Sequence, residues 1–294
     1  MPLNYEKLMQ TRFEPIRHTY ARRDTILYAL GLGVGLQDPS DQNELKYVYE
    51  RQLVALPTLA VTLAADAMRL TDPQFGINYT MLLHAEQSLL VHLPLPVEGT
   101  VLSEVTIDEI YDKGASKGAI MYMTRKLYDD SSGDLLVTTG TVTFLRGDGG
   151  FGGKSEGAPK PRAVPAGRNA DLHTELPVSL NQALIYRLAG DYNPLHVDPE
   201  IARKAGFDRP ILHGLGSYGM VGRALTKVLC GDDTARFRRL DVRFTSPVYP
   251  GEPLRLDIWN VGPGDAAFRL VATSRNVVVE DFGRFEFAQR EVSR

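Results

Sequence analysis

Asp191, Asn193 and His196 fall within one short run, Tyr186-Arg187-Leu188-Ala189-Gly190-Asp191-Tyr192-Asn193-Pro194-Leu195-His196. An acid, an amide and an imidazole in one bend of chain can pass a proton among them. Gly190 admits backbone angles closed to other residues, and Pro194 stiffens the chain leading into His196. Gly214 lies 18 residues beyond the histidine, in Pro210-Ile211-Leu212-His213-Gly214-Leu215-Gly216, where a long apolar segment opens. Backbone N–H groups at a helix start lack partners and attract negative charge. Acid, base and anion hole together suit proton transfer beside a developing oxyanion.

The pair of motifs resembles the hydratase 2 pattern of the MaoC-like family. Leu56-Pro57-Thr58, His84-Ala85-Glu86-Gln87, Asp112-Lys113-Gly114, Gly149-Gly150-Phe151-Gly152-Gly153-Lys154 and Arg243-Phe244-Thr245-Ser246-Pro247-Val248-Tyr249-Pro250-Gly251 come in the order found in the hydratase part of the peroxisomal multifunctional enzymes of type 2. The resemblance spans nearly the whole chain. It implies a double hotdog fold and reversible hydration of a trans-2-enoyl-CoA to the (3R)-3-hydroxyacyl-CoA, with an acyl-CoA thioester as partner and no cofactor.

On that resemblance Asp191 and His196 share one water: His196 takes a proton as oxygen attacks C3, and the pair returns a proton to C2. Which of the two delivers that second proton stays open, because coupled groups titrate jointly. Asn193 orients the water or His196, and the N–H of Gly214 receives charge from the thioester oxygen. Ligand contacts carried over by position are His84, Ala85, Lys113 and Phe244, with Lys113 facing a coenzyme phosphate and Phe244 lining the pantetheine or acyl path. Tyr192, Pro194 and Leu195 join them as neighbours of the acid-base bend. Ala85 departs from the glycine usual at its position, which puts its backbone contact in doubt. Dehydration of a 3-hydroxyacyl group on acyl carrier protein, or of a branched or dicarboxylic CoA ester, shares the same chemistry. A noncatalytic acyl-CoA-binding module is the alternative from another class.

Plainer roles compete for several of these residues. A histidine in a loop is ordinarily just hydrogen-bonded, and His213 is expected to brace its turn rather than move protons. Asp198-Pro199 with Gly206 reads as the cap, first turn and stop of a short helix that steadies the bend, so Asp198 is structural. Close packing explains Gly214, Gly216, Gly219 and Gly222, with a second role only for Gly214. His84, Ala85, Lys113 and Phe244 could each be core or surface positions without function. The glycine run at 149–154 has no strand-to-helix setting, so a dinucleotide site is not expected.

The 294 residues, 43% apolar and 23% charged, have the composition of a globular protein. A net charge of −3 gives no basic face for nucleic acid. Cys230, the single cysteine, excludes an internal disulfide, fits a reducing compartment and reads as a buried thiol. Six scattered histidines give no metal-ligand spacing. Arg22-Arg23 and the apolar residues after it resemble an export signal superficially, but the stretch is too short to span a bilayer and reads as an ordinary buried segment. No membrane partner is expected. The last four residues lack the usual peroxisomal tripeptide, so the expected compartment is the cytoplasm.

Glycine and proline crowd residues 147–173, a stretch read as a linker between an N-terminal half, 1–146, and a C-terminal half, 174–294. The first half is expected to be noncatalytic and to accommodate the acyl group; the second carries the hydratase motif. Each half repeats one plan, an apolar helical segment and then strands. The helices are expected over 55–68 and Gly214–Cys230. The strands are expected over 88–93, 101–111, 119–128 and 135–145, then over 239–244, 254–261, 266–275 and 277–287. Periodicity supports an α+β protein with mostly antiparallel strands; the resemblance makes it a double hotdog, two antiparallel sheets each wrapped around a central helix. Composite subunits with exposed sheet edges are expected to pair as a homodimer.

Overall fold

The computed structural model describes residues 3–65 and 67–290; residue 66 and the C-terminal tetrapeptide 291–294, on which the expected compartment rests, lie outside them. The helices are α1 (Tyr5–Gln10), α2 (Arg22–Gly31), α3 (Gln42–Leu45), α4 (Gln182–Tyr186), α5 (Pro199–Lys204) and α6 (Gly214–Cys230). The first half supplies strands β1 (Ile16–Tyr20), β2 (Leu82–Val91), β3 (Gly99–Asp112), β4 (Ala119–Asp129) and β5 (Leu135–Leu145). The second supplies β6 (Leu172–Leu176), β7 (Phe237–Phe244), β8 (Leu254–Gly262), β9 (Asp265–Ala272) and β10 (Val277–Phe287). No helix or strand occurs between Leu145 and Leu172.

Hydrogen-bonded neighbours run β1-β3-β4-β5-β2-β7-β10-β9-β8-β6, all antiparallel. The two half-sheets are therefore fused edge to edge through β2 and β7, with Glu86 opposite Arg243 and Leu89 opposite Leu240. Arg243 donates through Nε to Glu86 at 2.8 Å across this seam. Two motifs singled out far apart in the sequence are thus neighbouring rungs of one ladder.

Helix α6 is the core element. Its sequence is apolar apart from a few polar positions, its middle turns are buried, and Lys227 and Val228 in the last turn face solvent. It packs on β7, β10 and β6 of its own half and on the 57–61 segment of the other. Glycines let it come close: a Cβ at Gly219 would stand 2.6 Å from Leu32 and Tyr28, and one at Gly222 would stand 2.7 Å from Thr58.

The first half departs from the expected plan. In place of a helix over 55–68 the chain makes a 3-10 turn, Pro57–Val61, then a reversal at 62–64 with Ala64 at φ 51°, and a second 3-10 turn begins at Ala67. Local propensity favours a helix here, but the carbonyls that would continue it are taken elsewhere. Arg125 on β4 donates to Leu63 O at 2.5 Å, Ala60 O at 2.8 Å and Val61 O at 3.2 Å. Only one half keeps a long central helix, and space opens where the other would lie. The segment after Arg22-Arg23 is α2, and no described helix is long and apolar enough to cross a membrane.

Candidate active site

The bend before α5 is held by its own side chains. Gly190 adopts φ 122°, a region that excludes a Cβ, and turns the chain out of the helical segment 182–189. Asn193 accepts the N–H of Leu195 at 3.0 Å and so caps the 3-10 turn Pro194–His196. Its carbonyl oxygen is thereby engaged in shaping the turn that presents His196, a positioning duty the sequence assigned to water or to His196 directly. Asp198 accepts from Glu200 and Ile201 at the start of α5, and Gly206 at φ 90° lies just past its end, the structural arrangement expected of both.

His196 is 8% exposed, and its Nδ1–H donates to the carbonyl of Ile211 at 2.9 Å. That bond fixes the tautomer and leaves Nε2 with a lone pair. Burial lowers the imidazole's pKa, while the Ile211 carbonyl and Asp191 pull it upward; neutral at pH 7, the ring is a proton acceptor. His213 stacks on it, centroids 3.7 Å apart, and its Nε2–H donates to the main-chain carbonyl of Asp191 at 3.1 Å. Burial first, and the neighbouring His196 second, push His213 down to about 4. It braces the bend as expected and clamps Asp191 to the foot of α6.

A carboxylate oxygen of Asp191 and one ring nitrogen each of His196 and His213 lie within 4.8 Å of one another. Sequence spacing gave no ligand cluster, and folding assembles one. The two imidazole planes, however, are nearly parallel at 27°. Lone pairs in the ring planes then run side by side and do not converge on one ion, whereas a zinc site needs ligands directed at a common point. The constellation suits proton exchange better than coordination.

His213 occupies the cap position of α6 without giving its side chain to the helix end. The N–H of Gly214, in the first turn, has no intrahelical acceptor. Gly214, Asp191, Asn193, Leu195 and His196 all line a cavity of about 660 Å³ running between the halves under β2, β4 and β5. His84 and Phe244 line it too, in edge contact at 5.1 Å; burial takes His84 down to about 4. A Cβ at Gly214 would meet the Phe244 ring at 3.3 Å, so both packing and access to the N–H rest on that glycine.

Other candidates sit elsewhere. Ala85 is the unpaired residue of a bulge between His84 and Glu86 in the β2–β5 ladder, and it does not line the cavity. Tyr192 is 59% exposed under the guanidinium of Arg187, and Pro194 is also at the surface outside the cavity lining. Lys113 borders a separate open depression with Asp112, Gly114, Lys117, Gly153 and Ser155, and donates to Ser155 O at 2.6 Å. It lies at the end of the sheet where the cavity's His84 also lies, three strands along. The glycine run is not a free anion cradle: Asp112 accepts the N–H groups of Gly114 at 2.8 Å and of Gly150 and Gly152 at 2.7 Å. Burial would raise this carboxyl, but the ring of N–H donors outweighs it and holds it low.

Many lining residues escaped the sequence reading, among them the polar side chains of Arg69, Arg125, Thr141, Thr143 and Ser217. Arg125 had left a sign. It alternates with Met121, Met123 and Leu127 on a strand whose other inward positions are apolar.

Fold and site together define a double hotdog subunit with one acid-base bend at the foot of its central helix. Residues 18–147 match the MFE-2 hydratase 2 N-terminal domain, and residues 162–281 match the MaoC like domain. The chain is 41% identical over 279 residues to 3-hydroxyacyl-thioester dehydratase Y of Mycobacterium tuberculosis, across 93% of this chain and 95% of that one. It is 37% identical over 273 residues to the peroxisomal enoyl-CoA hydratase 2 of Arabidopsis thaliana, across 88% of each. A MaoC-like dehydratase from Phytophthora capsici superposes with a TM-score of 0.85 at 36% identity, over 97% of this chain and 99% of that one. A Mycobacterium tuberculosis protein with a double hotdog fold shares the architecture, at a TM-score of 0.59 and 14% identity over 95% of this chain and 97% of that one. The chain belongs to the MaoC-like hydratase 2 family.

Proposed function

We propose that the protein adds water reversibly to trans-2-enoyl-CoA esters, giving (3R)-3-hydroxyacyl-CoA. The observation that carries this reading is the fixed tautomer of His196, which leaves Nε2 free on a ring that clusters with Asp191 beside the foot of α6 in a largely apolar cavity. Water gives a proton to Nε2 as its oxygen bonds to C3. The electrons of the C2–C3 double bond move toward the thioester oxygen, which the N–H of Gly214 receives. C2 then takes a proton from the Asp191–His196 pair, so one water is consumed and both residues return to their starting states. Dehydration is the same sequence reversed.

In this reading the halves divide the labour. Residues 174–294 supply the chemistry, 1–146 the acyl space left by the missing helix, and 147–173 the covalent bridge. His84, Leu195 and Phe244 border the reacting thioester or acyl chain; Lys113 serves a coenzyme phosphate outside the cavity. A homodimer and a reducing cytoplasmic setting complete the proposal. Burial at Cys230 pushes its thiol up to about 11, leaving it unreactive, and sedimentation equilibrium at a mass of one subunit would sink the dimer.

The deciding experiment tracks the conjugated-thioester absorbance of short, medium and long trans-2-enoyl-CoA esters with purified protein, and resolves the product enantiomers. Loss of absorbance with a 3R product is expected. Binding without turnover, or a 3S product, would overturn the proposal.

A further inference from the structure

Two arginines for which the hydration chemistry has no use line the cavity, Arg69, which donates to the carbonyl of Glu14, and Arg125. Arg125 faces inward from β4, opposite Val105 of β3 and Thr139 of β5. Its three bonds go to main-chain carbonyls of residues 60, 61 and 63, whereas a guanidinium carries five N–H groups. Burial alone acts on it, with no carboxylate holding it up, and takes it to about 10, still a cation at neutral pH. Arg125 is part-buried on the cavity wall, and taking water from a cation that has no anion beside it is costly, which bonds to neutral carbonyls offset only in part.

The position of this cation relates it to the acid-base bend. The carbonyl of Thr62, between two of the residues Arg125 holds, comes within 3.8 Å of a Cβ position on Gly190, next to Asp191. The neighbouring floor is also polar: Gln87, Thr141 and Thr143 line the cavity with it. A plain alkyl chain laid over this floor would strip water from the cation and return no hydrogen bond. A chain ending in a carboxylate would replace that water with a charge-assisted pair.

On the hydratase reading, we infer that Arg125 is a specificity-determining residue that receives a carboxylate carried by the acyl chain. The preferred substrates are then trans-2-enoyl-CoA esters with a distal carboxyl group.

The test compares, with the full-length protein, kcat/KM for trans-2-enedioyl-CoA esters and for plain trans-2-enoyl-CoA esters of matched length. Alongside it, calorimetric titration with the saturated ω-carboxyacyl-CoA and the matched acyl-CoA reads binding without turnover. A preference of about tenfold or more for the carboxylated member is expected in both, from the strength of a hydrogen bond to a charged group. Arg125→Met should level that preference and Arg125→Lys should keep part of it. Because Arg125 also ties down residues 60–63, the wild-type comparison decides if the Met variant loses its fold. Equal handling of both series, with hydration of each, would overturn the role of Arg125 and leave the hydratase reading standing. Tighter binding of the carboxylated ligand without hydration of either would do the reverse.

Discussion

His196 is committed by a main-chain carbonyl at Nδ1, whereas His84 and His213 are committed at Nε2, so His196 keeps the opposite ring nitrogen free. Asp191→Asn and His196→Gln should each lower hydration by about 10²–10⁴-fold while the melting temperature stays close to wild type; near-normal turnover in either would refute the assignment. Lys113→Glu should act differently, raising KM far more than it lowers kcat, since the side chain stands outside the cavity. Steady-state kinetics on one substrate distinguishes the two patterns. Glu280 offers a test of burial itself. It is 0% exposed, and neither carboxyl oxygen has a hydrogen bond of normal geometry. Burial raises it from 4.5 to about 8, with the Ser217 hydroxyl opposing. The folded chain keeps a proton that the unfolded chain releases above about 4.5, so this group's stabilising contribution is full below that pH and lost as pH climbs to about 8. Glu280→Gln should therefore gain melting temperature over wild type progressively across that window, and a difference independent of pH would count against a protonated Glu280.

At the scale of elements, α6 is where sequence and structure agree most closely, because an apolar run between Gly214 and the left-handed Gly231 has one natural reading. Gly219→Ala should be destabilising by about 1–3 kcal/mol, seen as a lowered melting temperature. The new methyl would meet Leu32 and Tyr28, and overpacking outweighs the gain of about 1 kcal/mol in helix propensity. A stabilised variant would mean that α6 is packed less tightly than described. The strands Leu135–Leu145 and Val277–Phe287 were equally legible from alternation and turn residues. The short edge strands β1 and β6 were not, since five residues with mostly exposed side chains carry little pattern. The helix expected over 55–68 failed for a reason no local window contains: its carbonyls belong to Arg125, more than sixty residues away in sequence. Asp191, Asn193 and His196 were legible as a cluster because one bend holds all three. The bracing role of His213 was legible too, but its stacking on His196 and the tautomer selection by Ile211 were not, because both depend on how α6 meets that bend.

For the whole molecule, the fused sheet predicts a single cooperative unfolding event. Main-chain bonds run without interruption from β1 to β6, α6 packs against both halves, and the main core cluster draws on both. The smaller cluster around Leu8, Phe75, Ile110 and Met121 stands on the strands β3, β4 and β5 of that same sheet. Scanning calorimetry should give one transition with matching calorimetric and van't Hoff enthalpies; two resolved peaks would mean that the seam between β2 and β7 is weaker than its continuity suggests.

The same seam bears on how such a subunit could change. In a symmetric pair of identical chains every substitution appears twice, so a residue that widened one pocket would also damage the machinery of its twin. Joining the two copies into one polypeptide removes that penalty. Arg125 could appear, and a helix be given up, on one side of the ladder while the proton-transfer bend on the other was left undisturbed.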